Sequence, residues 1–190
     1  MSVEREFRKL LTRPTEELVR ATVAGEIEWG DFLADERPHL EISGFTGGLR
    51  GDWFDLALLS SWAPAPFVID GEPFASVESF YHALKYPPGS GERARVAGLA
   101  GPQAQRRAPR KRGTTLIWRG REIAVGSPEH CGAVGAAVSE KLKRHPSVVE
   151  VLRGTGRAQL MVAPHAYHGR NALAIATPIA LMIERARLWR

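Results

Sequence analysis

The stretch FVIDGEPFASVESFYHALKYP, residues 67–87, leaves this chain few ways to fold. Two short apolar segments flank Asp70-Gly71, a pair that readily takes positive φ, which predicts a β-hairpin. Ser76 follows as a helix N-cap, and Val77, Phe80, Tyr81 and Leu84 then fall at i, i+3, i+4 and i+7, the spacing of a buried helical stripe. The hydrophobic period therefore changes from two to 3.6 within a few residues, and a hairpin must pack directly on a short helix. A second row on that helix holds Glu78, His82 and Lys85, and an acid, an imidazole and an amine in one line need a reason.

The remaining chain continues the same plan. TTLIWRGREIAV (114–125) predicts a second hairpin with its turn near Arg119 and Gly120. Ser127 and Pro128 suit an N-cap and first helical position, and the helical pattern runs through EHCGAVGAAVSEKLKRH until Pro146. A short helix at 147–153, a buried strand at 158–163 and a last helix opened by Thr177 and Pro178 follow. Towards the N-terminus, residues 4–33 read as helical, with Pro14 at a first helical position. The stretch ISGFTGGLRGDW then places four glycines in twelve residues, a loop signal. The expected organisation is a helical extension with a Gly-rich loop over 1–50 and a main domain over 51–190. Its fold class is α+β, a helix-dominated single domain with short strands and hairpins.

With 44% hydrophobic and 25% charged residues in 190, the chain has the composition of an ordinary folded protein with one sizeable core. Cys131 is the single cysteine, so no internal disulfide forms and nothing points to an oxidising compartment. MSVEREFRKLL lacks the apolar run of a signal peptide, and no segment reaches the roughly 18 apolar residues of a membrane span. The expected location is cytoplasmic, with no membrane partner. There is no P-loop, no G-x-G-x-x-G after a strand, no H-E-x-x-H and no paired C-x-x-C. Nucleotide triphosphate hydrolysis, Rossmann redox chemistry and zinc hydrolysis lack their usual signals. Cys131 lies on the small-residue face of a helix, where packing explains it better than nucleophilic chemistry.

The formal net charge of +5 suits a polyanionic or phosphorylated partner. Its densest part is RRAPRKR (106–112), five basic residues in seven positions, which reads either as a solvated loop or as a phosphate contact. Glu78 falls in the first turn of its helix, where the backbone dipole and free N–H groups favour a carboxylate. Such an acid can simply stabilise the helix start. It is also suited to stabilising a developing positive charge, as on the sugar ring when a glycosidic bond breaks through an oxocarbenium-like transition state. Lys85, further along the same side, can hold a phosphate or face an electron-rich ring, or be a solvated amine. Aromatics cluster around this helix in sequence, and one or two of them, Trp118 included, can stack on a base while the rest form core. His168, in AYHGRN, sits beside a glycine in an expected loop.

LSSWAPAPFVIDGEPFASVESFYHALKYP (59–87) resembles the opening signature of the NADAR, or YbiA-like, family. That signature runs F-S-N-F, an apolar strand, D-G, an aromatic, then S-E-H, two aromatics and Q-A-x-K-F. Leu59-Ser60-Ser61-Trp62 stands for the first piece, Asp70-Gly71 for the turn, Glu78 for the glutamate and Lys85 for the lysine. The basic stretch before Trp118, the helix after Ser127 and the final strand, loop and helix keep the family order over about residues 54–190. Ser61 replaces the family's asparagine, Ser79 its histidine and His82 its glutamine. His168-Gly169-Arg170-Asn171 replaces a more glycine-rich C-terminal loop.

The resemblance implies an N-glycosidase without metal or cofactor. Its substrate would be a ribosyl phosphate such as the phosphoribosylamino pyrimidines of riboflavin synthesis, or ADP-ribosylated guanine in nucleic acid. Glu78 would stabilise the oxocarbenium ion and position water, with Lys85 beside it as the second catalytic residue. Lys85, Arg107 and Arg110 would hold phosphate, and Trp62 and Trp118 would shape or stack against the base. Tyr81, His82, His168, Arg170 and Asn171 complete the expected substrate-binding set. Two other readings stay open at this stage: a non-catalytic module for ADP-ribose or nucleic acid, and an interaction protein that uses its basic surface.

Overall fold

The computed structural model describes residues 39–42, 56–107, 115–156, 158–161 and 172–189. Its elements run β1 (His39–Glu41), a 3-10 turn (Ala57–Leu59), β2 (Phe67–Ile69), β3 (Glu72–Phe74), α1 (Val77–Ala83), α2 (Gly91–Ala97), α3 (Pro102–Arg107), β4 (Thr115–Trp118), β5 (Arg121–Ala124), α4 (Pro128–Arg144), α5 (Pro146–Gly154), β6 (Gln159–Met161) and α6 (Ala172–Leu188). This is the helix-dominated α+β architecture expected from the sequence. The expected helix at 4–33 and all of the Gly-rich loop except Ile42, which is buried in the core, lie outside the described residues.

Both hairpins form where turn chemistry placed them. In the first, Phe67 pairs with Phe74 and Ile69 with Glu72, and in the second Leu116 pairs with Ile123. Asp70 and Gly71 sit at φ +50° and +82°, and Arg119 and Gly120 at +48° and +75°, two positive values in succession as a tight two-residue hairpin turn requires. Arg119 donates from Nε to Oδ2 of Asp70 at 3.0 Å, so the two turns meet at the surface.

The hairpins close over α1 through aromatic packing. Phe67, Phe74 and Phe80 are all almost fully buried, and the Phe74 and Phe80 rings meet edge to face at 5.0 Å. Burying each such ring contributes about 1.5–3 kcal/mol. A single guanidinium binds the frame together. Arg93 of α2 donates to Glu72 Oε2 on β3 at 2.6 Å, to the Tyr86 carbonyl after α1 and to the Ile117 carbonyl on β4.

α4 packs on α1 and on β2, and α4 and α6 pack on each other, with Ala133, Val134, Ala137 and Val138 of α4 and Ala176, Ile179, Ala180 and Ile183 of α6 buried in the core. Ser127 caps α4 by accepting the His130 N–H at 3.2 Å, with Pro128 in the first turn, as its sequence predicts. The last strand, β6, pairs in parallel with β1, Leu40 facing Leu160, a strand the sequence pattern did not reveal.

Two expectations need correction. The last helix does not begin at Thr177; it begins at Ala172 and carries Pro178 inside it. Pro178 forfeits one backbone hydrogen bond, but buried Leu173 and Ala176 upstream and Ile179, Ala180 and Ile183 downstream extend one apolar face across it. The segment RRAPRKR is not wholly loop, because Arg106 and Arg107 close α3, while 108–112 lie outside the described residues.

Candidate functional site

α1 is short, and its start is tightly specified. Ser76 Oγ accepts the Ser79 N–H at 3.1 Å, while Ser79 Oγ accepts the Ser76 N–H at 2.9 Å, a reciprocal capping box. Ser79, which stands where the resembled family has histidine, is fully buried and committed to this cap. The next free donor of the first turn, the Glu78 N–H, reaches the Ser61 carbonyl at 2.9 Å. Helix start and the loop before β2 are thus joined through the backbone.

The second row of α1 forms one hydrogen-bonded chain. Ser61 Oγ donates to Glu78 Oε2 at 3.0 Å, His82 Nε2 lies 3.1 Å from Glu78 Oε1, and Lys85 Nζ lies 2.9 Å from His82 Nδ1. Glu78 and His82 are buried, whereas Ser61 and Lys85 are half-buried at the two ends. An ammonium can only donate, so a protonated Lys85 makes His82 Nδ1 the acceptor and leaves the proton on Nε2, pointing at Glu78. The carboxylate then receives one donor on each oxygen. The α-helix ends at Ala83, yet Leu84 keeps helical angles (φ −62°, ψ −12°), so Lys85 stays in line with His82.

Tyr81 flanks this row. Lys85 Nζ sits 4.8 Å from its ring centroid, and the His82 and His130 rings lie at 5.1 and 5.4 Å. Burial lowers the pKa of Lys85, an effect that the Glu78 charge opposes. Burial and then the same Glu78 charge raise that of the Tyr81 phenol. An amine over a half-buried aromatic face, linked to a buried carboxyl group through one imidazole, makes a compact polar site.

The other expected residues divide. Trp62 is half-buried directly after Ser61, and its N–H donates to Ser60 Oγ at 3.2 Å. Trp118 packs its ring edge to face with Phe80 at 5.2 Å and lies under the Arg119 guanidinium at 4.9 Å. It lines a groove of about 530 Å³ between the second hairpin and α4, walled by Arg121, Ile123, Pro128, Gly132 and Ala136 among others. None of the groove's lining residues belongs to the Glu78 row. Arg107 is the last residue of α3. Arg110, His168, Arg170 and Asn171 lie outside the described residues.

Three residues that the sequence reading did not place in the site touch or support it. Ser61 completes the carboxylate's hydrogen bonds, a role that only its match to the family's asparagine hinted at. His130 is fully buried beneath Tyr81, its Nδ1 accepting the Gly126 N–H at 3.2 Å, and burial pushes its pKa down to about 4. Lys141 reads in sequence as one of several solvated charges in SEKLKR, yet it is 1% exposed. Its ammonium donates to the carbonyls of Leu58 and Ser60 at 2.6 and 2.9 Å, and desolvation pushes its pKa down to about 7. Cys131 is buried, and its thiol is pushed up to about 12, so its place in α4 is one of packing. Among the described residues no group of acids, histidines and cysteines is arranged to hold a metal ion.

A helix-dominated α+β domain with two hairpins clasping a short capped helix is the YbiA-like fold. The structure is similar to the NMR structure of the E. coli protein YbiA, with a TM-score of 0.56 over 82% of this chain and 88% of that one, at 17% sequence identity. No family model and no curated protein matches the sequence. The similarity is therefore one of fold. Among the described residues no helix is long and apolar enough to cross a membrane.

Proposed function

We propose that this protein is an N-glycosidase that hydrolyses the bond between a phosphoribosyl or ADP-ribosyl group and a base or amino-pyrimidine. ADP-ribosylated guanine in nucleic acid is one substrate of that class. The observation that carries the reading is the buried row Ser61–Glu78–His82–Lys85, in which hydrogen-bond donors converge on both oxygens of one carboxylate. The YbiA-like fold supports it by agreeing with the resemblance read from residues 59–87.

In this mechanism the C1′–N bond breaks with its electron pair leaving on the base, and positive charge develops over C1′ and the ring oxygen. Glu78, oriented by its two donors, stabilises that charge and positions a water molecule for attack on C1′. The water oxygen bonds to C1′, one of its protons passes to the carboxylate, and the departing base acquires a proton, so that one water is consumed per bond broken. His82, donating from Nε2, and Lys85, donating to His82 Nδ1, hold the carboxylate in place, and the proton that Glu78 takes returns to solvent, matching the one the base acquires. Lys85, with Arg107 and Arg110, holds the phosphate. We assign Trp62 and Trp118 to shaping or stacking against the base, with Tyr81, His82, His168, Arg170 and Asn171 as further substrate-binding residues.

The test is release of free base from ADP-ribosylated guanine in DNA and from a phosphoribosylamino pyrimidine, with wild type and Glu78→Gln compared. Glutamine keeps the shape and loses the charge. The expected result is turnover of one substrate by wild type and a kcat lowered by roughly 10²–10⁴-fold in the variant, with KM little changed. A variant as fast as wild type would refute the role of Glu78. No turnover of either substrate together with measurable ADP-ribose or DNA binding would refute the enzyme and support the binding module.

A further inference from the structure

We propose that Lys141 is a positioning residue that sets the active geometry of Glu78 by clamping the loop that carries Ser61. The chain of contacts is continuous. Lys141 reaches from the last turn of α4 to the end of the 3-10 turn, donating to the Leu58 and Ser60 carbonyls. The next residue, Ser61, makes two bonds to Glu78: its carbonyl accepts the Glu78 N–H at 2.9 Å, and its hydroxyl donates to Glu78 Oε2 at 3.0 Å. Ser60 Oγ accepts the Trp62 N–H, so the clamp also fixes where the loop turns.

The chemistry of the clamp is unusual for a structural core position. Among the described residues its ammonium meets no carboxylate, only carbonyl oxygens, and it is almost completely buried. An apolar side chain of similar length would fill the same volume without desolvating a charge. What the ammonium adds is direction. One cation holding two carbonyls two residues apart fixes the backbone at 58–60, and with it the height of Ser61 against the helix. Lys141 touches neither substrate nor the reacting carboxylate; it acts through Ser61.

The catalytic half of this inference rests on the glycosidase reading of Glu78, while the structural half does not. Two measurements keep them apart. The first is amide hydrogen exchange in Lys141→Met, which retains length and removes the donors. The Glu78 N–H is expected to exchange at least tenfold faster, while the Leu84 N–H, bonded within α1 to the Phe80 carbonyl, keeps its wild-type rate. The second is a double-mutant cycle on kcat with Ser61→Ala. Lys141→Met is expected to lower kcat about tenfold or more in the wild-type background with KM within about twofold, and to have little further effect once Ser61 is alanine. Lys141→Gln, which keeps two N–H donors, is expected to recover part of both effects.

Unchanged exchange at Glu78 would overturn the clamp, whatever the protein's activity. Changed exchange with fully additive kcat losses would overturn its catalytic consequence. If wild type turns over neither substrate, the glycosidase reading fails and the exchange result still decides the clamp. Failure of both Lys141 variants to fold would make Lys141 a general strut and would also overturn the proposal.

Discussion

Acidification should unfold this protein partly through one side chain, His130. Its imidazole is 0% exposed at the start of α4, its Nδ1 accepts the Gly126 N–H, and its Nε2 has no hydrogen-bond partner among the described residues. Burial strips water from the charged form, which is why the pKa falls from 6.5 to about 4. Between those values the unfolded chain binds a proton that the folded chain refuses. The contribution is therefore complete above about pH 6.5 and is lost as pH falls towards 4. At about 1.4 kcal/mol per pH unit, that window corresponds to about 3 kcal/mol, a large part of a typical domain's 5–15 kcal/mol. The assay is urea unfolding followed by tryptophan fluorescence at pH 7, 5.5 and 4.5, in wild type and His130→Asn. Asparagine can still accept from Gly126 but does not titrate. It should be less stable than wild type at pH 7, because the ring leaves a gap, and should lose that deficit as pH falls. Equal pH slopes in the two proteins would refute the reasoning, since every other titrating group is common to both.

Two further outcomes follow from groups near the site. Lys141 acts with the same sign in a higher window: the folded chain binds fewer protons between about 7 and 10.5, so stability should rise by on the order of 5 kcal/mol as pH rises through that range. Alkaline urea titrations should show this slope in wild type and a flatter one in Lys141→Met; parallel slopes would mean the ammonium is not desolvated. Ser79→Ala removes the acceptor for the Ser76 N–H and should cost about 1–2 kcal/mol in thermal or urea unfolding. A melting temperature unchanged within a degree would show that the capping box does not hold α1.

Local chemistry decided much of this protein in advance. Asp70-Gly71 and Arg119-Gly120 specify their turns because positive φ is available there, and Ser76 and Ser127 specify helix starts because their hydroxyls satisfy backbone donors within three residues. These are interactions within a few positions, so a single sequence carries them. The row of Glu78, His82 and Lys85 belongs to the same kind, since helical geometry alone puts those positions on one side.

What the sequence could not contain was the partner across the fold. Lys141 looks like its neighbours Lys143 and Arg144, and only the packing of α4 against the loop at 58–60 buries it. His130 likewise is buried by the fold, where α1 brings the Tyr81 ring against it. Pro178 looked like a helix start, because the apolar face that carries α6 through it is a property of what α6 packs on. The pairing of β1 with β6 joins strands more than a hundred residues apart and leaves no local trace. The sequence by itself determined which residues turn, which begin helices and which three side chains stand in line along α1. Tertiary structure alone decided that Ser61 would complete that line and that a buried ammonium would hold Ser61 in place, because burial and hydrogen bonding between distant segments exist only once the chain has folded.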